Sequence, residues 1–179
     1  VRVFGASAVG DGIVPSWRVE SDRLRNAGPR LWLDWTDESD AEDITDFYGQ
    51  QMRVADEVFT AGECFLRFVA RGPDAGLAVP VQIQVIPAEM LPIERTESLP
   101  GGRIIRCGIE FDSLGRRLAY HFMRRHPADS TEAPDGAMTV RVPAEDVLHV
   151  MRPLEPGQIR GLPLLAPAVV GNLFVDAYN

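Results

Sequence analysis

The sequence predicts an α+β fold in which N-terminal helices pack on a mostly antiparallel sheet of about six short strands, with a C-terminal helix leading out. Three observations support this prediction. Apolar residues recur at spacings of three and four between residues 44 and 59, as along one face of a helix. From residue 64 onward, short apolar runs alternate with polar residues and are separated by Gly, Pro and Asp. A last apolar run follows Pro163, a residue that suits the first turn of a helix.

This pattern divides the chain into three parts. We expect an extended N-terminal segment at residues 1–28, an α+β body at residues 29–162 and the start of a helix at residues 163–179. The 179 residues suffice for one domain with an appendage, and the apolar fraction of 45% is normal for a globular core. Because the chain starts at Val1 and stops inside a predicted helix, we expect a fragment of a longer protein.

The charge of the chain limits the classes of partner. The formal net charge is −8, whereas proteins that read duplex DNA usually carry a basic patch. The negative net charge therefore argues against a protein that recognises DNA bases, but it does not argue against a surface past which DNA slides. No apolar run approaches the roughly 18 residues of a membrane span. Much of the negative charge lies in one acidic segment, residues 34–46, which most simply forms a solvated helix face. Its members are Asp34, Asp37, Glu38, Asp40, Glu42, Asp43 and Asp46.

The N-terminal part is rich in glycine and other turn formers. Residues 1–4 are interpreted as the remnant of a strand. Separately, residues 10–13 have the glycines of a phosphate-binding loop, but they lack the Lys and the following Ser or Thr that such loops need. Pro29 then begins a short helix. Its Trp32 and Trp35 stand three residues apart and are expected to pack in the core or at a subunit contact.

The next helix carries the amphipathic pattern. Ser39 or Asp40 is expected to cap its first turn, because side-chain oxygens there accept from free backbone N–H groups. The helix is expected to run for roughly 18 residues, about 27 Å. Gly62 is a natural stop at its C-terminal end.

Six strands are predicted after this helix, and they alternate with turn residues. The first two form a hairpin, as do the third and fourth. The predicted strands occupy residues 64–71, 79–86, 104–111, 118–123, 138–142 and 147–151. One apolar face is expected from Ile109, Phe111, Leu118, Tyr120 and Phe122.

Two further features belong to this region. Cys64 and Cys107 fall in predicted strands, and two cysteines at this spacing form neither a zinc motif nor a disulfide scaffold. Buried reduced thiols are the expectation.

Residues 126–137 are rich in Pro, Asp and Ser and are predicted to form a mobile surface loop.

The stretch after the last strand has the composition of a rigid turn that leads into a helix. Pro156 and Gly157 mark the turn. Gly161 can take backbone angles that are closed to other residues. Pro163 suits the first turn of the helix, and Arg160 is the one long cation in the turn.

No catalytic, cofactor-binding or metal-binding residue is predicted. His121 and His149 fall in predicted strands, where a lone His is more often a hydrogen-bonded structural residue than a ligand. The serines lack the context of a nucleophile elbow. Carboxylates are plentiful, but their pairing in space cannot be read from a sequence. A hydrolase that uses acidic residues therefore stays open as an alternative.

Three passages resemble the lambda-type family of tailed-phage portal proteins. They are Gly62-Glu63-Cys64-Phe65-Leu66, then Gly108-Ile109-Glu110-Phe111-Asp112 through Gly115 to Ala119-Tyr120-His121, and lastly Val147-Leu148-His149-Val150 followed by Pro156-Gly157-Gln158-Ile159-Arg160-Gly161 and Ala166-Pro167. The resemblance implies that residues 29–162 are the wing region of a portal. It also implies that the stem begins near Pro163, with the clip and second stem helix beyond Asn179.

The resemblance implies a structural subunit and no enzyme. Portal proteins form approximately dodecameric homo-oligomeric rings at one vertex of the capsid, in the virion, after assembly in the host cytoplasm. The implied partners are capsid, terminase and tail connector proteins, and double-stranded DNA that passes through non-specifically, with no membrane and no cofactor. The alternatives left open are an acidic-residue hydrolase and another head–tail connector or interaction module.

The resemblance and the turn together place a structural elbow or subunit contact after the last strand. We hypothesise that this turn fixes the angle between the sheet and the stem, and that Arg160 anchors it through a carboxylate or helix-end carbonyls. Arg160→Ala is then expected to weaken ring assembly or packaging while the isolated chain stays folded. The residues of this predicted elbow are Pro156, Gly157, Gln158, Arg160, Gly161 and Pro163.

Overall fold

The computed structural model describes residues 2–129 and 139–169. These residues form the α-helices α1 (Arg2–Val9), α2 (Asp22–Glu38) and α3 (Phe47–Thr60), eight strands and four short 3-10 helices. Residues 166–169 are also helical, so the predicted α+β class is confirmed. The strands are β1 (Glu63–Ala70), β2 (Val81–Pro87), β3 (Glu97–Leu99), β4 (Arg103–Arg106), β5 (Ile109–Phe111), β6 (Arg117–Met123), β7 (Thr139–Pro143) and β8 (Val147–Met151). No helix in the described ranges is long and apolar enough to cross a membrane.

The eight strands form two sheets. One has three strands in the order β2-β1-β8, and the other is an antiparallel sheet of five strands in the order β3-β4-β5-β6-β7. The chain divides into two compact units. The first unit contains Val1–Asp56 and Arg67–Val85, and the second contains Glu57–Leu66 and Ile86–Asn179.

Helix α1 occupies part of the segment that the sequence predicts to be extended, so the predicted strand remnant at residues 1–4 is wrong. Within the first unit, Gly5 lies against α3, and a Cβ atom at Gly5 would stand 2.8 Å from Oδ1 of Asp56. A helix whose contact face includes glycine can approach a neighbour this closely. The helix is thus favoured by a tertiary contact that a local pattern does not reveal.

Helix α2 starts at Asp22, seven residues before the predicted start at Pro29, so that predicted boundary is also wrong. Ser21 is the N-cap residue, and its hydroxyl accepts from the backbone N–H of Leu24 at 3.5 Å. Pro29 lies inside the helix, where it removes one backbone hydrogen bond. Trp17 packs against Gly28 so closely that a Cβ atom there would stand 2.5 Å from the indole ring.

Helix α3 has 14 residues and is shorter than the roughly 18 expected, because Asp40 does not cap it. The Asp40 carboxylate instead accepts from the backbone N–H groups of Glu42, Ile44 and Thr45 at 3.1–3.2 Å and holds these residues in a loop. Asp46 takes the capping role, with Oδ1 2.7 Å from the backbone nitrogen of Gly49. The predicted first turn of the helix is therefore a side-chain-bonded loop.

The aromatic residues of the first unit pack together, as expected for core residues. The ring of Phe47 lies with its centroid 5.2 Å from that of Trp32 and 5.0 Å from that of Trp35. The indole nitrogen of Trp35 donates to the carbonyl of Val81 at 2.8 Å. Tryptophan here provides apolar packing and one hydrogen bond.

The predicted third strand is in fact two strands, β4 and β5, and β3 lies outside every predicted strand. The count therefore rises from six strands to eight, and Cys107 lies in a turn and not in a strand. β4 and β5 pair antiparallel around a tight turn in which Cys107 has φ +50° and Gly108 has φ +81°. Two successive positive φ values match the turn that joins two-residue hairpins. Cys107 is half-buried in this turn, whereas Cys64 is fully buried, and burial raises the pKa of the Cys64 thiol to about 12. Both cysteines are free.

The core of the second unit lies on one face of the five-stranded sheet. Four residues of the predicted apolar face belong to it, whereas Leu118 is only half-buried. The register between β5 and β6 shifts between Glu110 and Phe111, and this irregularity interrupts the simple alternation. The core consists of Phe65, Ile86, Leu91, Ile109, Phe111, Tyr120, Phe122, Val142 and Val147. Most of the predicted loop at 126–137 lies outside the described residues.

Candidate functional site

The elbow turn, residues 156–161, follows β8 and is held by its own side chains. Gln158 accepts from the backbone N–H of Leu154 at 2.7 Å and donates to the carbonyl of Arg160 at 2.8 Å. Gly157 has φ +84°, a conformation that favours glycine. One amide side chain thus links the start and the end of the turn.

Arg160 leaves this turn and is mostly buried, with 13% of its side chain exposed. Its Nε donates to Oε1 of Glu63 at 2.5 Å. Nη1 donates to the carbonyls of Leu91 and Cys107, both at 3.0 Å, and Nη2 donates to the carbonyl of Ala88 at 3.2 Å. The planar guanidinium therefore connects four segments of the second unit: the elbow turn, the start of β1, the 3-10 helix Ala88–Met90 with the Leu91 that follows it, and the β4–β5 turn.

Glu63 is the partner that joins these contacts, and its side chain is 2% exposed. Its Oε2 accepts from the backbone N–H of Gly161 at 2.5 Å and from Nε2 of His149 at 2.9 Å. Burial by itself would raise the pKa of Glu63, but the hydrogen bonds from His149, Gly161 and Arg160 outweigh burial, and the pKa lies below its ordinary value. We call Glu63, His149, Arg160 and Gly161 the Glu63 network.

His149 packs inside this network. Its ring centroid lies 4.5 Å from that of Phe65 and 5.8 Å from that of Tyr120. An ionised carboxylate can only accept, so Nε2 carries the proton that is donated to Glu63. Nδ1 has no hydrogen-bond partner among the described residues. The hydrogen bond to Glu63 agrees with the expectation that this histidine is structural.

Gly161 is required for a different reason from the one that its sequence context suggests. A Cβ atom on Gly161 would stand 2.2 Å from the carbonyl oxygen of Gly62, and one on Gly62 would stand 2.3 Å from the backbone of Leu162. Contacts under 3.0 Å force a displacement. Two backbones thus touch where the elbow turn passes the end of α3, and glycine is needed for this approach.

The helix after the elbow starts later than predicted. Residues 166–169 are helical, whereas Pro163 precedes the helix and accepts from the N–H of Ala166 at 3.2 Å. The backbone N–H of Leu165 donates to the carbonyl of Phe59 at 3.3 Å and ties this segment to the end of α3. The rest of the predicted helix, residues 170–179, lies outside the described residues.

A second buried carboxylate, Glu110, was not predicted as a site residue. Its side chain is 1% exposed and accepts from Nε of Arg141 at 2.7 Å, Nη1 of Arg103 at 3.0 Å and Nε2 of His121 at 3.2 Å. Its position between Ile109 and Phe111, which both face the core, places it on the opposite face of the sheet. That alternation is the only sequence signal for the cluster, and it does not specify the partners.

The electrostatics of this Glu110 network favour the ionised carboxylate. The hydrogen bond from Arg141, with support from His121, outweighs burial and holds the pKa of Glu110 below its ordinary value. Burial also lowers the pKa of His121, although Glu110 opposes that effect. The imidazole is thus mainly neutral at pH 7 and donates through Nε2.

Neither network has the properties of a catalytic acid–base pair. A general base needs a free lone pair and a pKa near the working pH, but Glu63 and Glu110 are surrounded by donors and their pKa values are lowered. No group of three potential metal-binding side chains occurs within residues 2–129 and 139–169. The arrangement is suited to holding segments of chain in fixed positions.

Comparisons with known proteins agree with this structural character. The family "Phage portal protein, lambda family" matches residues 1–178, so this chain belongs to the lambda family of phage portal proteins. It is also 31% identical over 101 residues to a "Probable portal protein" from Halomonas phage phiHAP-1. The aligned part covers 56% of this chain and 19% of the length of that relative.

Proposed function

We propose that this chain is the wing region and the beginning of the stem of a portal subunit. In this proposal, copies of the full-length protein form a homo-oligomeric ring at one capsid vertex, approximately dodecameric, through which DNA is packaged and ejected. The family match over residues 1–178 is the observation that carries the proposal. The role is structural, as expected for a member of this family.

The Glu63 network supports a mechanical role for the elbow turn. Arg160 and Glu63 are 97 positions apart in the sequence, and their contact links the turn to β1 within the second unit. A planar cation with four hydrogen bonds resists rotation more than a single bond could. We propose that this network sets the direction in which the chain leaves the wing, and that Pro156, Gly157, Gln158, Gly161 and Pro163 serve the same role.

The proposed partners follow from the ring. Capsid protein would surround it, terminase and tail connector proteins would dock on it in turn, and double-stranded DNA would pass without base recognition. The net charge of −8 suits a surface that does not retain DNA tightly. The proposed location is the capsid vertex of the virion, with assembly in the host cytoplasm.

The decisive experiment is electron microscopy of the protein at its full natural length. We expect closed rings with a central channel, and mass photometry should give a single multiple of the subunit mass. A protein that remains monomeric at micromolar concentration, with or without capsid protein, would contradict the proposed function.

The contribution of the elbow turn can be tested with Gln158→Ala. This change removes the bonds to Leu154 and Arg160 but leaves the Glu63–Arg160 pair in place. We expect fewer closed rings and less packaged DNA. Gln84→Ala is the matched control, because Gln84 is also half-buried and its side-chain amide bonds Glu42, far from the elbow in sequence. Equal ring yields from both variants would argue against the mechanical role.

A further inference from the structure

A cleft lined by arginines opens beside the elbow turn in the second unit. Arg106, Arg116 and Arg117 line it together with Phe111 and Gly157. Its volume is about 430 Å³, within the size range of clefts that admit side chains of another molecule. None of its lining residues is acidic. We call it the arginine cleft.

Two of these arginines have no anionic partner. Arg116 is paired with Asp112 at 2.8 Å. Arg106 and Arg117 have no hydrogen bond or ion pair from their guanidinium groups within the part of the chain that the structure describes. The cleft therefore presents two unneutralised positive charges, although the net charge of the chain is −8.

Arg106 is also held in position. Its Cζ atom lies 4.6 Å from the centroid of the Phe111 ring. Stacking on an aromatic ring restrains the guanidinium plane and leaves its N–H groups free at the edge, where they can bind a carboxylate through two hydrogen bonds. An oriented arginine loses less freedom on binding than a mobile one.

The acidic segment, residues 34–46, offers carboxylates of the complementary kind. Several are already engaged: Asp40 and Asp46 bond backbone N–H groups, and Glu42 lies 3.5 Å from Arg53. Asp37 and Asp43 are exposed, and their side chains have no partner among the described residues. Two unpaired carboxylates thus stand in one exposed segment of the first unit.

We propose that the arginine cleft of one copy binds the acidic segment of a second copy. This inference rests on the proposed ring, and it names a surface on each side of the subunit contact. A contact between two different surfaces is heterologous, which is the type that generates rings. Ion pairs at such a contact determine orientation and partner choice more than total affinity.

A carboxylate fits the cleft better than the phosphates of duplex DNA. A duplex carries one charge for every roughly 1.7 Å of its axis and would bring that charge against all surrounding acids. Asp112 lies beside the cleft, and Glu155 lines the adjacent cleft that also contains Arg117. The acidic segment instead brings two unpaired carboxylates, Asp37 and Asp43, which match in number the two unneutralised arginines of the cleft.

A charge exchange in the full-length protein tests this contact. We expect Arg106→Glu with Arg117→Glu to weaken subunit association about tenfold or more, because attraction becomes repulsion. Adding Asp37→Arg and Asp43→Arg to the same chain should restore rings. Arg23→Glu with Arg124→Glu is the matched control, since both arginines are exposed and lie outside the cleft lining. Association is measured by mass photometry over a dilution series.

The variant Arg106→Gln with Arg117→Gln removes the two charges without reversing them, so it is less prone to misfold. Circular dichroism shows whether each variant has the same fold as the wild type. If the wild type forms rings and the charge-reversed protein associates equally well, this inference is overturned while the proposed function stands. A wild type without rings would overturn the proposed function and this inference together. Loss that the exchange does not restore, with a parallel loss of DNA retention, would assign the cleft to DNA and also overturn the inference.

Discussion

Glu63 and Glu110 are two buried carboxylates with similar partners and different consequences. Each accepts from arginine and from histidine, and their side chains are only 2% and 1% exposed. The partners of Glu110 lie on strands of one sheet, 7 to 31 positions away along the chain. Arg160 and Gly161 lie 97 and 98 positions from Glu63. The Glu110 network therefore fixes neighbouring strands, whereas the Glu63 network fixes the path of a distant turn.

Solvent access separates the two networks further. Arg160 has 13% of its side chain exposed, whereas Arg103 and Arg141 have 42% and 48% exposed. Water can replace a half-exposed guanidinium in part, but it cannot easily reach a buried one. We therefore expect the buried Glu63–Arg160 pair to contribute more to the free energy of unfolding than the half-exposed pairs of Glu110 with Arg103 and Arg141.

The largest expected effect is that of Arg160→Ala. The substitution removes the pair with Glu63 and the N–H donors to the carbonyls of Leu91 and Cys107. The carbonyl of Ala88 also loses Arg160 but still accepts from the backbone N–H of Leu91 at 3.2 Å. Loss of one partner of a buried pair costs about 3–5 kcal/mol. Urea denaturation measures the change in unfolding free energy. The contacts therefore predict a loss of stability, whereas the sequence alone predicts that the isolated chain with this substitution stays folded.

Arg124→Ala is the control for that experiment, because Arg124 is exposed and should change the unfolding free energy by less than about 0.5 kcal/mol. Arg160→Lys keeps the charge but loses the planar fork, so it should fall between the two. A loss below about 1 kcal/mol for Arg160→Ala would mean that the two networks do not differ as proposed.

Gly161→Ala should have the next largest effect. The new Cβ atom would meet the carbonyl oxygen of Gly62 at 2.2 Å, and overpacking against backbone costs about 3 kcal/mol. Gly157→Ala in the same turn meets no atom within 4 Å but keeps φ +84°, which costs about 1 kcal/mol. Thermal unfolding of both variants should reproduce this order. The reverse order would indicate that backbone angle, and not close approach, governs the elbow turn.

Arg141→Ala should cost less, about 1.5 kcal/mol, as for one hydrogen-bonded charged pair. Arg103 and His121 continue to donate to Glu110, and water can reach the position that the half-exposed Arg141 leaves. Urea denaturation of Arg141→Ala and Arg160→Ala under the same conditions compares the two losses of unfolding free energy directly. Equal losses would show that burial of the arginine does not distinguish the networks.

The smallest effect is expected in the pH dependence of stability. The pKa values of Glu63 and Glu110 are lowered from 4.5 in the folded state, so the unfolded chain binds more protons just below pH 4.5. Their contribution is complete above pH 4.5 and is lost as the pH falls through the folded pKa values. Glu63→Gln should remove one part of this pH dependence of the unfolding free energy, and Glu110→Gln should remove the other part.

His121 adds a separate contribution at higher pH. Its pKa is lowered from 6.5, so the unfolded chain again binds the proton first, and stability decreases as the pH falls from 6.5 towards the folded pKa. Urea midpoints measured between pH 8 and pH 5 should show this decrease, and His121→Gln should abolish it. A slope that persists in His121→Gln would assign it to another group.

The sequence predicts the type of most elements because periodicity is a local property. The predicted bounds of the last strand, residues 147–151, coincide with those of β8, and the two predicted hairpin strands after α3 lie within a few residues of β1 and β2. The predicted start of α2 is wrong because Pro29 is a stronger local signal than the Ser21 cap at which the helix begins. The sequence does not predict the turn at Cys107, because a non-glycine residue with a positive φ has no compositional signal of its own.

Membership of the portal family and the composition of the elbow turn were determined by the sequence itself, because short-range order and motif spacing are carried in the chain. Only the tertiary structure decided that the partner of Arg160 is Glu63 and that Gly161 passes the backbone of Gly62. The physical reason is that a buried charge selects its partner through burial and hydrogen-bond geometry across nearly a hundred residues. No local pattern contains that information.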